Sequence, residues 1–339
     1  MKKLVIQIPC LNEASTLPAT LADLPRSVPG VDVVEVLVVD DGSRDGTADV
    51  ARACGVDHVV SFRRNKGLAA AFMAGIDAAL KAGADFIVNT DADNQYAGRE
   101  IPKLLAPLLN GSADIVIGDR NIAAVDHMGW RKRQLQRLGS WVVRQVSNTS
   151  VPDTTSGFRA YTRDAALRMM IVSEFSYTLE SIIQAGKKRM AIAHVEIVTN
   201  PRTRESRLFG SLYSYIKRSA ATIVRIYAMY EPLKVFTYIG LTLFGGGFVL
   251  GLRLVYYYFQ FEAGKHIPSA IAAAVLMILG FQILVIGLVA DVISGNRKLI
   301  EDVLFRVRSL ELDGVTARKH DAEDQRTLTH SAPKDRWER

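Results

Sequence analysis

The chain has 339 residues, 49% of them hydrophobic and 23% charged, with a net charge of +7. That length holds one large domain plus an appendage, and two cysteines, Cys10 and Cys54, are too few for a disulfide framework. The basic residues crowd around the apolar segments without an aromatic-interleaved stripe, which favours phosphate-bearing substrates or an anionic membrane over nucleic acid.

At the amino end, Met1-Lys2-Lys3 leads into a short apolar run that Pro9 and Asn12-Glu13 cut off. This is no signal peptide, so the catalytic domain is expected in the cytosol. Leu4–Ile8, Val33–Val39, His58–Phe62, Asp85–Asn89 and Asp114–Ile117 are short, apolar and rich in β-branched residues, as strands are. Helical patterns lie between them at Ser15–Leu24, Asp45–Cys54, Leu68–Lys81 and Gly98–Leu109, with Ser15 as a helix cap. The alternation predicts an α/β domain with a mainly parallel sheet, whose ligands bind at the carboxyl ends of strands. Both cysteines fall in apolar patterns and read as buried small hydrophobes.

Beyond Gly118, a basic stretch from Arg131 to Arg144 reads as helix and Ser147–Ser156 as loop. A strand at Phe158–Tyr161, a helix ending near Lys188 and a strand near Ile192–Val198 follow. Over residues 206–230, Arg207, Arg218 and Arg225 share one side of a helical wheel, opposite Phe209, Leu212, Ile216, Ile223, Tyr227 and Tyr230. That is the pattern of an interfacial amphipathic helix.

Residues 235–252 contain 18 uncharged residues and 269–290 contain 22. A bilayer core needs about 20 helical residues, so both read as membrane spans. Gly245-Gly246-Gly247 is tolerable in a packed transmembrane helix. The connecting loop, Gln260–Ile267, carries one firm positive charge, Lys265, whereas the flanks carry Arg218, Arg225, Lys234, Arg297, Lys298, Arg306 and Arg308. Positive-inside asymmetry puts both termini in the cytoplasm, with Arg253 snorkelling to the far interface. Two spans invite packing against a second copy. Residues 311–339 are polar and expected to be disordered. The expected division is 1–203 catalytic, 204–233 interfacial, 234–294 membrane-spanning (234–259 and 268–293) and 295–339 an amphipathic segment with a tail.

Three acidic or polar runs end strands. Asp40-Asp41-Gly42-Ser43 combines turn and cap chemistry with a carboxylate to spare for a nucleobase or ribose. Asp91 and Asp93, in Asn89–Gln95, leave a strand together and can converge on one divalent cation with Gln95 nearby. Hard oxygen ligands suit Mg²⁺ or Mn²⁺, bound jointly with substrate phosphates. Glu13, in Pro9-Cys10-Leu11-Asn12-Glu13, can reach ribose or base. No G-x-G-x-x-G follows the first strand, which excludes a Rossmann oxidoreductase.

Taken in order, Ile8–Glu13, the Asp40–Ser43 run, Asn65-Lys66-Gly67, Asp91–Gln95 and Ser156-Gly157-Phe158-Arg159 resemble the family 2 inverting glycosyltransferases. With two C-terminal spans the chain is similar to the dolichyl-phosphate mannose synthases and bacterial polyprenyl-phosphate glucosyltransferases of that family, over roughly residues 4–295. The resemblance implies a GT-A-like, Rossmann-type sheet with helices on both faces. It implies a UDP- or GDP-linked sugar donor and an undecaprenyl or dolichyl phosphate acceptor. Pro9, Leu11, Asn12, Glu13, Asp40, Asp41 and Lys66 would hold the nucleotide, with Leu11 standing where many relatives have an aromatic residue. Asp91, Asp93 and Gln95 would hold the metal and diphosphate. Arg120 and either Arg131 or Arg133 would hold the acceptor phosphate. Asp153 would sit near the reaction centre, and Arg202, Arg204 and Ser206 would close over the phosphates. Asp93, Asp153 and Arg204 are the catalytic candidates. A processive polysaccharide synthase is disfavoured by the lack of a Q-x-x-R-W run, and a soluble acceptor by the spans. A non-catalytic nucleotide-binding scaffold is disfavoured by the acidic and arginine set.

Overall fold

The computed structural model describes residues 1–120, 141–172, 177–201, 212–260 and 267–330. They form two compact units, 1–222 with 304–339, and 223–303.

The first unit is built on seven strands: β1 (Lys3–Cys10), β2 (Val33–Asp40), β3 (His58–Ser61), β4 (Phe86–Asn89), β5 (Ile115–Asp119), β6 (Arg159–Thr162) and β7 (Ile192–Glu196). Their order is β3-β2-β1-β4-β6-β5-β7. β1, β2, β3 and β4 run parallel, as do β5 and β7; β6 alone runs antiparallel, between β4 and β5. The mainly parallel sheet expected from the alternation is present, and the reversed strand is what the alternation did not reveal.

Burial on both faces explains why the strands read as continuous apolar runs. In β1, Leu4, Ile6, Ile8 and Cys10 join one core with Leu17 and Leu21 of α1 (Leu17–Asp23) and Leu104, Leu105 and Leu108 of α4 (Ile101–Leu109). The alternate residues face α3 (Leu68–Lys81) and α7 (Tyr177–Lys187). The Gly75 α-carbon abuts Gln7 and Val39, and Phe72 stacks on Tyr177 at 4.0 Å. Helices therefore cover both faces. The short α2 (Thr47–Ala53) follows β2, a helix over 141–147 (α5) precedes the loop to β6, and α6 (Arg163–Arg168) follows β6 without a break.

Element ends shift by one or two residues from those expected. Gly98–Glu100 winds as a 3₁₀ turn before α4. Thr16, not Ser15, occupies the cap position of α1, and its hydroxyl turns back to Glu13. Helix α6 was not separated in the sequence reading because its six residues are too few to show a period.

The chain continues through α8 (Leu212–Tyr230) into α9 (Pro232–Phe259) and α10 (Ile267–His330). Two of these helices, over 232–259 and 267–312, are long and apolar enough to cross a membrane. Within the second unit, α9 and α10 pack through small residues spaced seven apart. A Cβ on Gly247 would lie 2.9 Å from the Ala273 carbonyl oxygen, and one on Gly280 2.5 Å from the Phe244 nitrogen. Of the glycine triplet, only Gly247 makes this approach; Gly245 and Gly246 meet nothing within 4 Å. Helix α10 runs on through His330, past residue 311 where disorder is expected. No proline interrupts the chain between Pro268 and Pro333, so nothing local stops the helix.

Candidate active site

Reversal between β1's two neighbours opens a crevice at the strands' carboxyl ends, where α/β sheets bind ligands. The expected motifs converge there. The loops after β1 and β2 are tied together: Asn12 N–H donates to Ser43 Oγ at 2.8 Å, Arg44 N–H to Asn12 Oδ1 at 2.9 Å, and Glu13 N–H to Thr47 Oγ1 at 3.0 Å. Asn12 takes a left-handed φ of 55°, which asparagine tolerates better than most residues. Its side-chain oxygen is thus engaged in loop structure. Asp41 is buried and accepts the backbone N–H groups of Lys66 (2.7 Å) and Gly67 (2.9 Å). Asp40 accepts Ser43 N–H at 3.1 Å, and Glu13 accepts the Thr16 hydroxyl at 2.8 Å. Pro9 lies within β1, in register with Val39. Leu11 is exposed, and Lys66 Nζ sits 4.5 Å above the Phe62 ring.

At the end of β4 the electrostatics change. Among the described residues no donor hydrogen-bonds the Asp91 carboxylate. Burial first, and then the Asp93 charge, push its pKa up to about 7, against the opposing pull of Arg120. Asp93 accepts the Gln95 N–H at 3.1 Å. No group of three or more His, Cys, Asp or Glu is placed to hold a metal among the described residues. A cation shared between two carboxylates and a diphosphate needs no third protein acid. An underserved carboxylate beside a second one fits that arrangement.

The acceptor-side candidates form a pair. Arg120 Nε donates to Asp153 Oδ2 at 2.7 Å and Nη2 to Oδ1 at 3.0 Å, with Nη2 also reaching Thr155 Oγ1 at 2.9 Å. Burial alone would raise the Asp153 carboxyl; the Arg120 charge and hydrogen bonds outweigh it and hold the group below its ordinary value. The same Asp153 oxygen accepts the N–H groups of Thr155 and Ser156, so it shapes the 153–157 loop.

Several residues at this edge have no role assigned from sequence, although Gly157 and Arg159 belong to a motif named there. Arg159 is completely buried and donates to the Ser156 and Thr154 carbonyls and to Ser181 Oγ. Gly157 is held at both polar backbone atoms: its N–H donates to Tyr96 Oη at 3.1 Å, and its carbonyl accepts Asn89 Nδ2 at 2.8 Å. A Cβ at Gly157 would lie 3.0 Å from Asp91 Oδ1 and from Tyr177 Oη, tighter than ordinary contact, so glycine eases the approach of the loop to the carboxylate. The available signal was the polar Gln7 and Asn89 inside apolar strands. Cys10 is buried as expected, and its thiol is pushed up by burial and nearby carboxylates, whereas Cys54 is only partly buried, packed against the edge of the core.

Arg131, Arg133, Arg202, Arg204 and Ser206 lie outside the described residues. Immediately upstream of the last three, Thr199 pairs with Tyr96 and Asn200 N–H donates to the Gln95 carbonyl at 2.9 Å.

Comparison with known proteins adds family evidence. Glycosyl transferase family 2 matches residues 5–169, and the GtrB C-terminal hairpin matches residues 231–295. An uncharacterized glycosyltransferase of Mycobacterium tuberculosis is 34% identical over 209 residues, covering 61% of this chain and 90% of its own. The undecaprenyl-phosphate mannosyltransferase of Micrococcus luteus is 36% identical over 163 residues, 46% of this chain; the chain spans 65% of that relative's length. Among solved structures, glucosyl-3-phosphoglycerate synthase from Mycobacterium tuberculosis, in complex with Mn²⁺, UDP-glucose and phosphoglyceric acid, superposes with a TM-score of 0.54 at 23% identity. It covers 67% of this chain and 80% of its own, and supports the GT-A fold.

Proposed function

Because the chain belongs to glycosyl transferase family 2, we propose that it moves a hexose from a UDP- or GDP-linked sugar to a polyprenyl phosphate. The acceptor is undecaprenyl or dolichyl phosphate, the configuration inverts, and Mg²⁺ or Mn²⁺ is required. The protein is a multi-pass membrane protein with its catalytic unit in the cytoplasm. The observation that carries the reading is Asp91, a carboxylate without a hydrogen-bond donor among the described residues, beside Asp93 at the end of β4. The hairpin match and the named substrate of the Micrococcus relative support the lipid acceptor.

Asp91 and Asp93, with Gln95 beside them, would hold the cation, which would supply positive charge to the departing nucleotide diphosphate. Glu13 and Asp41 face the nucleoside, and the Asn12 and Asp40 contacts keep the two loops in place. The acceptor oxygen needs little activation, since a phosphate monoester has a second pKa of about 6. Arg120 spends Nε and Nη2 on Asp153 and keeps Nη1 for a phosphate oxygen. Asp153, held ionised by that arginine, orients it and is not an obligatory base. Arg131 or Arg133 adds acceptor charge. Arg202, Arg204 and Ser206 close over the phosphates; the segment just before them in sequence is bonded to the 94–96 loop through Thr199 and Asn200. Catalysis is then mostly positioning and charge placement.

Membranes carrying the full chain, given radiolabelled nucleotide-sugars and polyprenyl phosphate, test the reading. The expected product extracts into organic solvent, depends on added lipid phosphate and disappears with a chelator. Label confined to soluble or polymeric product would refute the acceptor assignment.

A further inference from the structure

Across the sheet, Gln7 of β1 lies in register with Asn89 of β4, and Asn89 with Arg159 of β6. All three are completely buried on the face toward α3 and α7. A polar row inside a sheet core is costly unless each group is hydrogen-bonded, and here Gln7 Oε1 is the side-chain atom of the row left without a partner among the described residues. This row is directional. Gln7 Nε2 donates to Asn89 Oδ1 at 2.9 Å, and Asn89 Nδ2 donates onward to the Gly157 carbonyl (2.8 Å) and the Tyr177 hydroxyl oxygen (2.9 Å). The Gly157 carbonyl fixes which way the Asn89 amide points, and Asn89 in turn fixes Gln7. Burial, reinforced by the Asp91 charge, keeps the Tyr177 hydroxyl protonated.

Asn89 and Tyr96 bracket the acidic run at its two ends, and both grip the same residue, Gly157, one at its carbonyl and the other at its N–H. That residue lies against the Asp91 carboxylate on one side and continues into the loop shaped by Asp153 on the other. Donor-side and acceptor-side groups therefore share one clamped residue. We propose that Asn89 is a positioning residue: through Gly157 it sets the gap between the Asp91–Asp93 pair and the Arg120–Asp153 pair. Asn89 touches neither substrate, and the inference rests on the donor and acceptor roles given above. A loop moved by about 1 Å loses alignment for in-line attack while the nucleotide still binds.

The test uses the full-length protein in membranes. Asn89→Leu keeps the branched shape, removes both donated bonds and also takes away the acceptor of Gln7 Nε2. The expected result is a kcat lower by about 10- to 100-fold with the nucleotide-sugar KM within about twofold of wild type. Hydrogen–deuterium exchange should rise at the backbone of 153–158. Tyr96→Phe, which removes the Gly157 N–H acceptor alone, should give the same pattern more weakly, and it carries both readouts if the Asn89→Leu protein does not accumulate. The double variant should lose less than the product of the single losses, because both act through Gly157. Unchanged exchange at 153–158, a nucleotide-sugar KM that rises in step with the fall in kcat, or a kcat loss that vanishes once activity is normalised to folded protein, overturns the proposal. If wild type does not glycosylate polyprenyl phosphate, the functional reading falls and the exchange result alone judges the clamp.

Discussion

The two ends of the sheet treat their carboxylates in opposite ways. At the amino ends of the strands, Glu35 lies 2.7 Å from Lys3 Nζ and 2.8 Å from His58 Nε2. Asp32, Asp57 and Asp85 accept backbone N–H groups of Lys2, Val36 and Lys3. Burial would raise the Glu35 carboxyl, but Lys3 and His58 outweigh it and hold the group low. At the carboxyl end of β4, Asp91 meets no donor among the described residues and is pushed up to about 7. One fold satisfies its acids at one end and leaves a deficit at the other. On the function proposed above, that deficit is met by the cation that arrives with the sugar nucleotide.

The largest expected effect removes the deficit's chemistry. Asp93→Ala should lower transfer by about 10²- to 10³-fold while membrane insertion and the thermal transition persist. Activity near wild type in the product assay would rule out the metal role.

Next comes an acid at this edge that is paired with a largely buried cation. Arg120→Met leaves Asp153 buried without its partner and should cost about 3–5 kcal/mol of stability. A denaturant midpoint within error of wild type would show that water or another cation takes over.

The comparison sharpens with pH. An acid whose folded pKa is raised binds more protons folded than unfolded, so its contribution favours folding at low pH. For Asp91 that contribution is complete below about 4 and lost as pH rises through about 7. The metal-free protein should therefore melt lower at pH 8 than at pH 5.5. Mn²⁺ with nucleotide diphosphate should raise the melting temperature more at pH 8, and Asp91→Asn should flatten the dependence. A metal-induced shift that does not vary with pH would contradict the Asp91 assignment. Glu35 has the opposite sign: its folded pKa is lowered, so its contribution is present above the ordinary glutamate value and lost as pH falls through the folded one.

The smallest effect lies at that amino end. The Lys3–Glu35 pair is about one-fifth to one-quarter exposed, and Glu35→Gln should cost about 0.5–1 kcal/mol with kcat unchanged. A change in kcat would mean that the two ends communicate.

Periodicity carried the fold a long way. Leu4–Ile8 and Val33–Val39 read as buried parallel strands because both faces are apolar, and both are covered. The spans were legible because 18 and 22 uncharged residues in a row have few other uses. The reversed strand β6 was not legible: Phe158–Tyr161 looks the same whichever way it runs, and its pairing with β4 depends on a segment some 70 residues earlier in the chain. The strand-end acids were legible as candidates, but Asp40 and Asp41 look alike in sequence beside Asp91 and Asp93, and only their donors tell them apart.

Sequence alone determined which residues stand at the ends of strands, because hydrophobic period and turn chemistry are local properties of the chain. It also determined that two helices are too apolar to remain in water without cover. Tertiary structure decided which polar atoms are satisfied. Arg120 finds Asp153 across 33 positions, Asn89 finds Gly157 across 68, and Asp91 finds no donor among the described residues. A hydrogen bond needs its partner at about 3 Å, and that proximity exists only once the distant segments have packed.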